Sequence, residues 1–574
     1  LAITSSDRLK VLGLAIDRWA RRAIAWVRLV AALASPVKSG ETLVISPQDL
    51  RTADPTVAND IYAGRFMLAG KLVTTGARSI WEIEPPSVEW TAALHSFGWL
   101  RHLKAADNII ARANARALVD DWLAAPRHPR IAYRVDVTAR RVMAFLAQAN
   151  LLLADSDIGF YRRFVRAILI DVRTLRYRYM MTPPGAQQLL VLNALAMAAL
   201  CLESQPRLRR FADTRLQAEL TRQISVDGTH ISRNPGVTLQ LLLELLPLRQ
   251  VYAARGFAPP QALQPAIDRS MPLLRFFRHG DGSIALFNGM GPTQPDLLAT
   301  LTAYDEARGK PTRALPSGGY QRLEAGGKVV LMDVGAPPPV ALGAQACAGP
   351  LSFEFSDGLH RVVVNCGLPE IGRAAWGLAT RSTAAHSTLT VSDASAGHVM
   401  KPGFFQHLLG PLLLSGASLV TVERTENGPQ SQLVARHNGY KKRFQILHER
   451  KLSLSPGRFE GVDRVIPARV GAKIEQHEAA VRFHLHPAVK ATSLRDGSGV
   501  LLMLPNREAW LFSAEGLKTT IEESVFLGAL EGPRRSEQLV VRTNAATTPD
   551  IAWRFTRTER SVRADQSASE PQLF

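Results

Sequence analysis

The stretch from Asp227 to Gln250, DGTHISRNPGVTLQLLLELLPLRQ, puts a histidine, an arginine and an asparagine directly before an apolar run. Asp-Gly signals a turn, Asn234 is a good N-cap and Pro235 suits the first helical position. From Val237 to Leu248 the run is apolar on nearly every side, which predicts a helix buried among other helices. A helix N-terminus is partly positive and carries unsatisfied N–H groups, so His230, Arg233 and Asn234 mark a place where an acidic ligand can be held. Other side chains with chemical capacity lie further on. Tyr320 and Tyr440 each follow a glycine at a strand entrance, where they serve as anchors or as proton carriers. His484 and His486 alternate on one strand and share a face, either exposed and polar or lining a cleft. Tyr177 and Tyr179, with Arg173, Arg176 and Arg178, read as a surface on which sugars could stack or as a plain helix exterior.

The elements that must position these groups fall into two kinds. From about Glu89 to Arg308 apolar residues recur at three and four, as in RRVMAFLAQANLLLA and GAQQLLVLNALAMAALCL, which predicts a long series of helices. Short links such as TPPGA and GFAPP make successive helices antiparallel neighbours. Pairs in such number stack as a solenoid or close into a ring, and the lack of a repeat of fixed length argues against the regular solenoid. Beyond LPSGGY the period becomes two: HRVVVNCG, STLTVSD and QLVVRTN are among more than ten strand-like runs with no helical pattern between them. Those imply antiparallel sheets packed as a sandwich.

The totals narrow the partners. The 574 residues include 69 Lys+Arg against 50 Asp+Glu, a formal charge of +19 that favours polyanions over long range. Nucleic acid, anionic lipid and acidic polysaccharide all qualify, but no module that reads nucleic acid is recognisable. Three cysteines and no CxxC exclude a disulfide framework. The first thirty residues interleave charged and apolar side chains and lack the unbroken apolar core of a signal peptide. They predict an amphipathic helix, lying on a membrane surface or, the reading favoured here, on the protein's own core. No run approaches the ~20 apolar residues of a spanning helix.

Several phrases in order carry a family resemblance: PPSVEWTAALHSFGWLRHLKAA, DGTHISRNP, GYQRLEAGGKVVLMDVG, LSFEF, STAAHSTLTV, GYKKRFQILHERKL and RFHLHP. Together they resemble the heparinase II/III-like polysaccharide lyases. The resemblance implies an (α/α) toroid over 52–315 and an antiparallel β-sandwich over 316–560. A helix and linker would precede them at 1–51, and a disordered tail would follow at 561–574. It further implies β-elimination across a uronic acid in an acidic polysaccharide. That reaction needs a group that neutralises the C6 carboxylate, a base for the C5 proton and an acid for the leaving oxygen. By similarity His230 stands where the family carries its neutralising His or Asn, with Arg233 and Asn234 beside it. Tyr320, Tyr440 and His484 are then candidates to contact substrate. The rest of the family pattern is not matched. Ile284 occupies the register of a catalytic tyrosine, and Gln345, Cys347 and Gly349 replace a His-x-His-x-Asp. Only His386 matches the other metal-associated histidine, so the resemblance requires no cofactor, and zinc on Cys347 and His386 is the one metal option. An acidic-polysaccharide-binding protein without turnover is the rival to the lyase. Such substrates would suit the periplasm or cell envelope.

Overall fold

Helical periodicity gives way to strand periodicity between Ala303, where the last long helix of the N-terminal half ends, and Ala314, where the first strand of the main sheet begins. The computed structural model describes residues 5–33, 41–76, 78–306, 309–369, 372, 376–427 and 430–558. The tail expected at 561–574 lies outside the described residues.

The helical half comprises α1 (Ser5–Leu33), α2 (Thr56–Tyr62), α3 (Val88–His95), α4 (Leu100–Ala106), α5 (Ile109–Ala124), α6 (Val135–Ala147), α7 (Ala149–Leu153), α8 (Ile158–Arg178), α9 (Ala186–Cys201), α10 (Pro206–Gln223), α11 (Pro235–Ala254), α12 (Leu263–Ser270), α13 (Leu273–Phe276) and α14 (Pro295–Ala303). Local chemistry sets their starts. Asn108 accepts from the Ala111 N–H at 2.7 Å and Asp157 from the Phe160 N–H at 2.8 Å, while Pro206, Pro235 and Pro295 occupy first helical positions. α9 is buried along almost its whole length because α6, α8, α10 and α11 all pack on it. α8, by contrast, buries only a stripe running from Phe160 to Leu175. That alternation of all-round apolar and striped helices is what a double-layered ring of helices requires.

α1 has two apolar faces. Val11 and Ala15 are buried in a cluster with Met400, Leu409, Leu412 and Leu414 of the β half, as expected for a helix resting on the protein's own core. Leu9, Leu12, Ile16, Trp19, Trp26 and Val30 form a second stripe that faces outward, with Trp19 and Trp26 at 69% and 63% exposure. Among the described residues no helix is long and apolar enough to cross a membrane.

The β half is two antiparallel sheets. One has eight strands in the order Val420–Asn427, Gln430–His437, Ile446–Ser455, Arg458–Pro467, Asp550–Arg557, Ala509–Ala514, Val500–Met503 and Lys490–Ser493. The other has nine: Thr519–Phe526, Arg534–Asn544, Glu478–Leu485, His360–Val364, Phe353–Asp357, Lys328–Asp333, Tyr320–Ala325 and Ala314–Leu315, with Leu389–Val391 paired onto Glu478–Leu485. Their facing sides meet in an aromatic core. Phe353 stacks on Trp553 at 5.6 Å and Phe483 meets Phe512 at 5.0 Å, geometries that add to the burial itself. Gly461 is obligatory there, because a Cβ would come within 2.3 Å of the Trp553 ring. Within the same core Asp463 accepts two bonds from Arg450, at 2.7 and 2.9 Å, one from His448 at 2.6 Å and one from Trp553 at 2.8 Å. Burial alone would raise the Asp463 pKa, but Arg450 and His448 more than offset it and hold the carboxyl below its usual range.

Candidate functional site

The turn that opens α11 folds back on α10. Ile224 and His230 form an isolated antiparallel bridge, and Gly228 allows it with φ 83°, since a Cβ there would meet the Arg269 carbonyl at 1.9 Å. The fold-back has a consequence for each of the three predicted site residues. His230 is only 1% exposed. Its Nδ1 accepts from the Ser232 N–H at 3.1 Å, so Nε2 carries the proton and donates to Gln223 Oε1 at 2.9 Å. Burial, reinforced by Arg222, lowers its pKa to about 3, so the ring is neutral. His230, expected to meet a substrate carboxylate, is thus buried with its ring nitrogens engaged by Ser232 and Gln223.

Arg233 is also enclosed. Its backbone is left-handed, φ 61°, and its guanidinium points into the β half. There it donates to the carbonyls of Gly318 at 2.8 Å, Gly319 at 3.1 Å and Ala336 at 3.1 Å, and pairs with Asp333. Every donor that could have gripped an acid is spent on joining the two halves, so Arg233 is a clamp. Asn234 caps its helix and also reaches the cleft wall. Its Oδ1 caps α11 by accepting from the Gly236 N–H at 2.8 Å, and its Nδ2 donates to Gln345 Oε1 at 2.9 Å on the wall of a cleft.

The remaining candidates are structural as well. The Tyr320 hydroxyl donates to the Arg233 carbonyl at 2.5 Å and accepts from Asn288 at 2.7 Å, and burial pushes its pKa up. Tyr440 is buried and donates to the Leu389 carbonyl at 2.8 Å. The His484 ring contacts the Ala384 carbonyl at 2.9 Å and Ser524 Oγ at 2.8 Å, with its pKa lowered to about 3 by burial. His486, on the same strand exit, lies 3.3 Å from Arg361. Tyr179 is buried, Arg176 lies over Phe211 at 5.2 Å and Arg178 donates to the Tyr133 carbonyl. Cys347 and His386, the two ligands considered for zinc, each make a contact within the protein. Burial pushes the Cys347 thiol up to about 11, His386 Nδ1 bonds the Ser382 carbonyl at 2.8 Å, and a Cβ at Gly349 would lie 2.6 Å from the His386 ring. Among the described residues no group of three or more His, Cys, Asp or Glu could hold a metal ion. Ile284, in the tyrosine register, is 1% exposed.

What the structure brings together instead is a set of basic residues, Arg51 before α2, Arg101 and His102 on α4 and Arg140 on α6, with Asp54 and Asp296 in the same lining. A cleft of about 660 Å³ runs between the helical half and the β half, lined by Arg51, Arg101, His102 and Arg140, by Asn234 and Gln240 of α11, and by Gln345 and Leu530 of the β half. A side chamber of about 170 Å³ shares Arg51, Arg101, Arg140 and Leu243 with it. Pro247, inside α11, also lines the chamber; it has no N–H to offer the Leu243 carbonyl one turn earlier. Arg51 is paired with Glu244 and Asp49. Arg101 is partly satisfied by the carbonyls of Thr52 at 2.9 Å and Gly98 at 2.6 Å. Arg140 makes no hydrogen bond or ion pair among the described residues, and burial lowers its pKa. His102 accepts from the Asp54 N–H at 3.0 Å, and burial with the neighbouring Arg101 lowers its pKa to about 4. The signal for Arg140 was a charged pair, Arg140–Arg141, in an otherwise apolar inner-helix pattern. Arg141 is spent on a two-pronged bond to Asp171, at 2.8 and 3.0 Å, and Arg140 is left facing the cleft.

Comparison with known proteins fits this architecture. Residues 307–554 match the family described as Heparinase II/III-like, C-terminal. The chain is 30% identical over 582 residues to FtsZ-localized protein C of Caulobacter vibrioides (strain NA1000 / CB15N), covering 96% of this chain and 99% of that one. The chain belongs to the heparinase II/III-like family. Among solved structures, heparinase III superposes with a TM-score of 0.66 at 13% identity, covering 85% of this chain and 79% of that one. A mutant heparan sulfate lyase from Pedobacter heparinus superposes with a TM-score of 0.60 at 14% identity, covering 94% and 89%. The heparinase-like fold of helical toroid and β-sandwich is therefore common to this chain and to those lyases.

Proposed function

We propose that this chain is an acidic-polysaccharide-binding protein on a lyase scaffold, one that holds an anionic glycan in the cleft without cleaving it. The observation that carries the reading is the enclosure of His230, uncharged and with both ring nitrogens engaged. Elimination needs a carboxylate neutraliser, a base and an acid converging on one sugar. Of His230, Arg233 and Asn234, Asn234 is the one that lines this cleft, and among the described residues no tyrosine lines it. Binding needs less. Arg140 and Arg101 supply positive charge in a partly desolvated cleft, where attraction to a carboxylate or sulfate is stronger than in water, and Asn234, Gln240 and Gln345 supply hydrogen bonds for hydroxyls.

The test is incubation with heparan sulfate, chondroitin sulfate, alginate and other uronate polymers. Ultraviolet absorbance reports unsaturated ends, and calorimetry reports binding. The expected result is saturable, salt-sensitive binding with no absorbing product, weakened by Arg140→Ala. Accumulation of unsaturated product by the pure protein, lost in Asn234→Ala, would replace this reading with the lyase.

A further inference from the structure

A second cavity, of about 370 Å³, lies beneath α1 and shares no lining residue with the glycan cleft. Its size falls within the range of small-molecule sites, ~300–1,000 Å³. Part of its wall is apolar, from Leu14 of α1, Met180 and Met181 after α8, Pro183, and Leu409 and Leu412 of the β half, with Thr182 and Gln188 among them. Methionine is unbranched and polarisable, so such a lining repacks around a flexible chain. The rim is basic. Arg18 and Arg21 come from α1, Arg215 and Arg222 from α10, against two carboxylates, Asp17 and Glu219.

Pairing accounts for only part of that charge. Arg21 bonds Asp17 at 2.8 Å and Arg222 bonds Glu219 at 2.5 Å. Glu219 is further engaged by Gln223 at 2.7 Å and the Tyr179 hydroxyl at 3.4 Å. Arg18 spends one nitrogen on the Leu409 carbonyl at 3.0 Å, while its Nε is buried without a partner. Arg215 makes no hydrogen bond or ion pair among the described residues. A partly apolar chamber with two uncompensated guanidiniums at its mouth is complementary to a molecule with an apolar body and one anionic end.

We propose that this cavity binds an anionic amphiphile, its alkyl or acyl chain among Leu14, Met180, Met181, Leu409 and Leu412 and its carboxylate, phosphate or sulfate head held by Arg18 and Arg215. Occupancy bridges α1 to the body of the molecule, since the walls come from α1, the toroid and the β half alike.

The full chain is titrated calorimetrically with sodium laurate below its micelle concentration. Lauryl maltoside, with the same chain and an uncharged head, and acetate, with the head and no chain, are the controls. Laurate is expected to bind one to one, and both controls at least tenfold more weakly. Arg215→Glu, at an exposed position, is expected to weaken laurate at least tenfold while leaving the unliganded melting midpoint and glycan binding unchanged. Hydrogen exchange in α1 and in 179–184 is expected to slow on laurate addition. Equal binding of laurate and lauryl maltoside, which would assign the chain to the exposed stripe of α1, overturns the proposal, and so does indifference to Arg215→Glu. Phosphatidylglycerol vesicles that displace laurate identify the natural source as membrane lipid, and vesicles that do not identify a free amphiphile; the shared chemistry stands in either case.

Discussion

At the scale of single residues, the histidines show how burial converts a reactive group into a structural one. His230→Ala leaves the Gln223 amide oxygen, itself buried, without its donor, and an unsatisfied buried polar group costs about 1–3 kcal/mol. The expected outcome is a lower urea midpoint with unchanged glycan affinity. The same burial sets a pH dependence. His95, His230 and His484 have folded pKa values lowered to about 3 by burial, against an ordinary value of 6.5. A depressed folded pKa means the unfolded chain takes up the proton first, so the stability these rings contribute is complete above pH 6.5 and is lost as the pH falls from there towards 3. The loss is roughly 1.4 kcal/mol per pH unit for each ring, measurable as a falling urea midpoint between pH 7 and pH 5. Why His230 looked accessible in the sequence is also clear. Asp-Gly and Asn-Pro mark the turn correctly, but Gln223, seven residues upstream, becomes the partner of His230 only when α10 and the turn fold together. Arg140 was equally hidden: two adjacent arginines point about 100° apart on a helix, and only the position of Asp171 decides which one is left over.

At the scale of elements, the cap was legible where the tertiary role was not. Asn234, Pro235 and the all-round apolar α11 follow from local rules, as do the striped α8 and the change to period two after LPSGGY. The clamp made by Arg233 required contacts with residues about a hundred positions away, which no spacing encodes. Arg233→Ala strands the buried Asp333 carboxylate, although Asn288 at 3.0 Å and the Gly335 N–H at 3.0 Å still reach it. Breaking a buried pair from one side costs about 3–5 kcal/mol. The expected readout is a lower unfolding midpoint together with new protease cuts near 303–319, where the helical half passes into the sheets. Arg140→Ala makes the opposite prediction, because the wild-type guanidinium lacks a partner. Its removal should leave or raise the melting midpoint while lowering affinity for heparan sulfate about tenfold.

At the scale of the whole molecule, the surplus of 19 positive charges acts over distances that salt shortens to about 8 Å at physiological ionic strength. Glycan association should therefore slow with added salt more than dissociation quickens, and stopped-flow traces at several salt concentrations check this. The split into helices and sheets, and the likeness to lyases, were readable because period and order of phrases survive substitution. What the cleft does was not, because it depends on which few side chains remain unengaged after packing.

The seam around Arg233 carries a mechanical meaning of its own. Asp227 accepts from the Ser317 and Gly318 N–H groups at 2.8 and 2.9 Å, Glu354 takes a proton donor from His279 at 3.0 Å, and Arg322 reaches the carbonyls of Phe276 and Arg278. Halves riveted at that many points behave as fixed jaws and not as a hinged pair. A glycan bound as proposed would enter a gap of set width, and scanning calorimetry should record one heat-absorption peak for both halves, shifted as a unit when the rivets are cut.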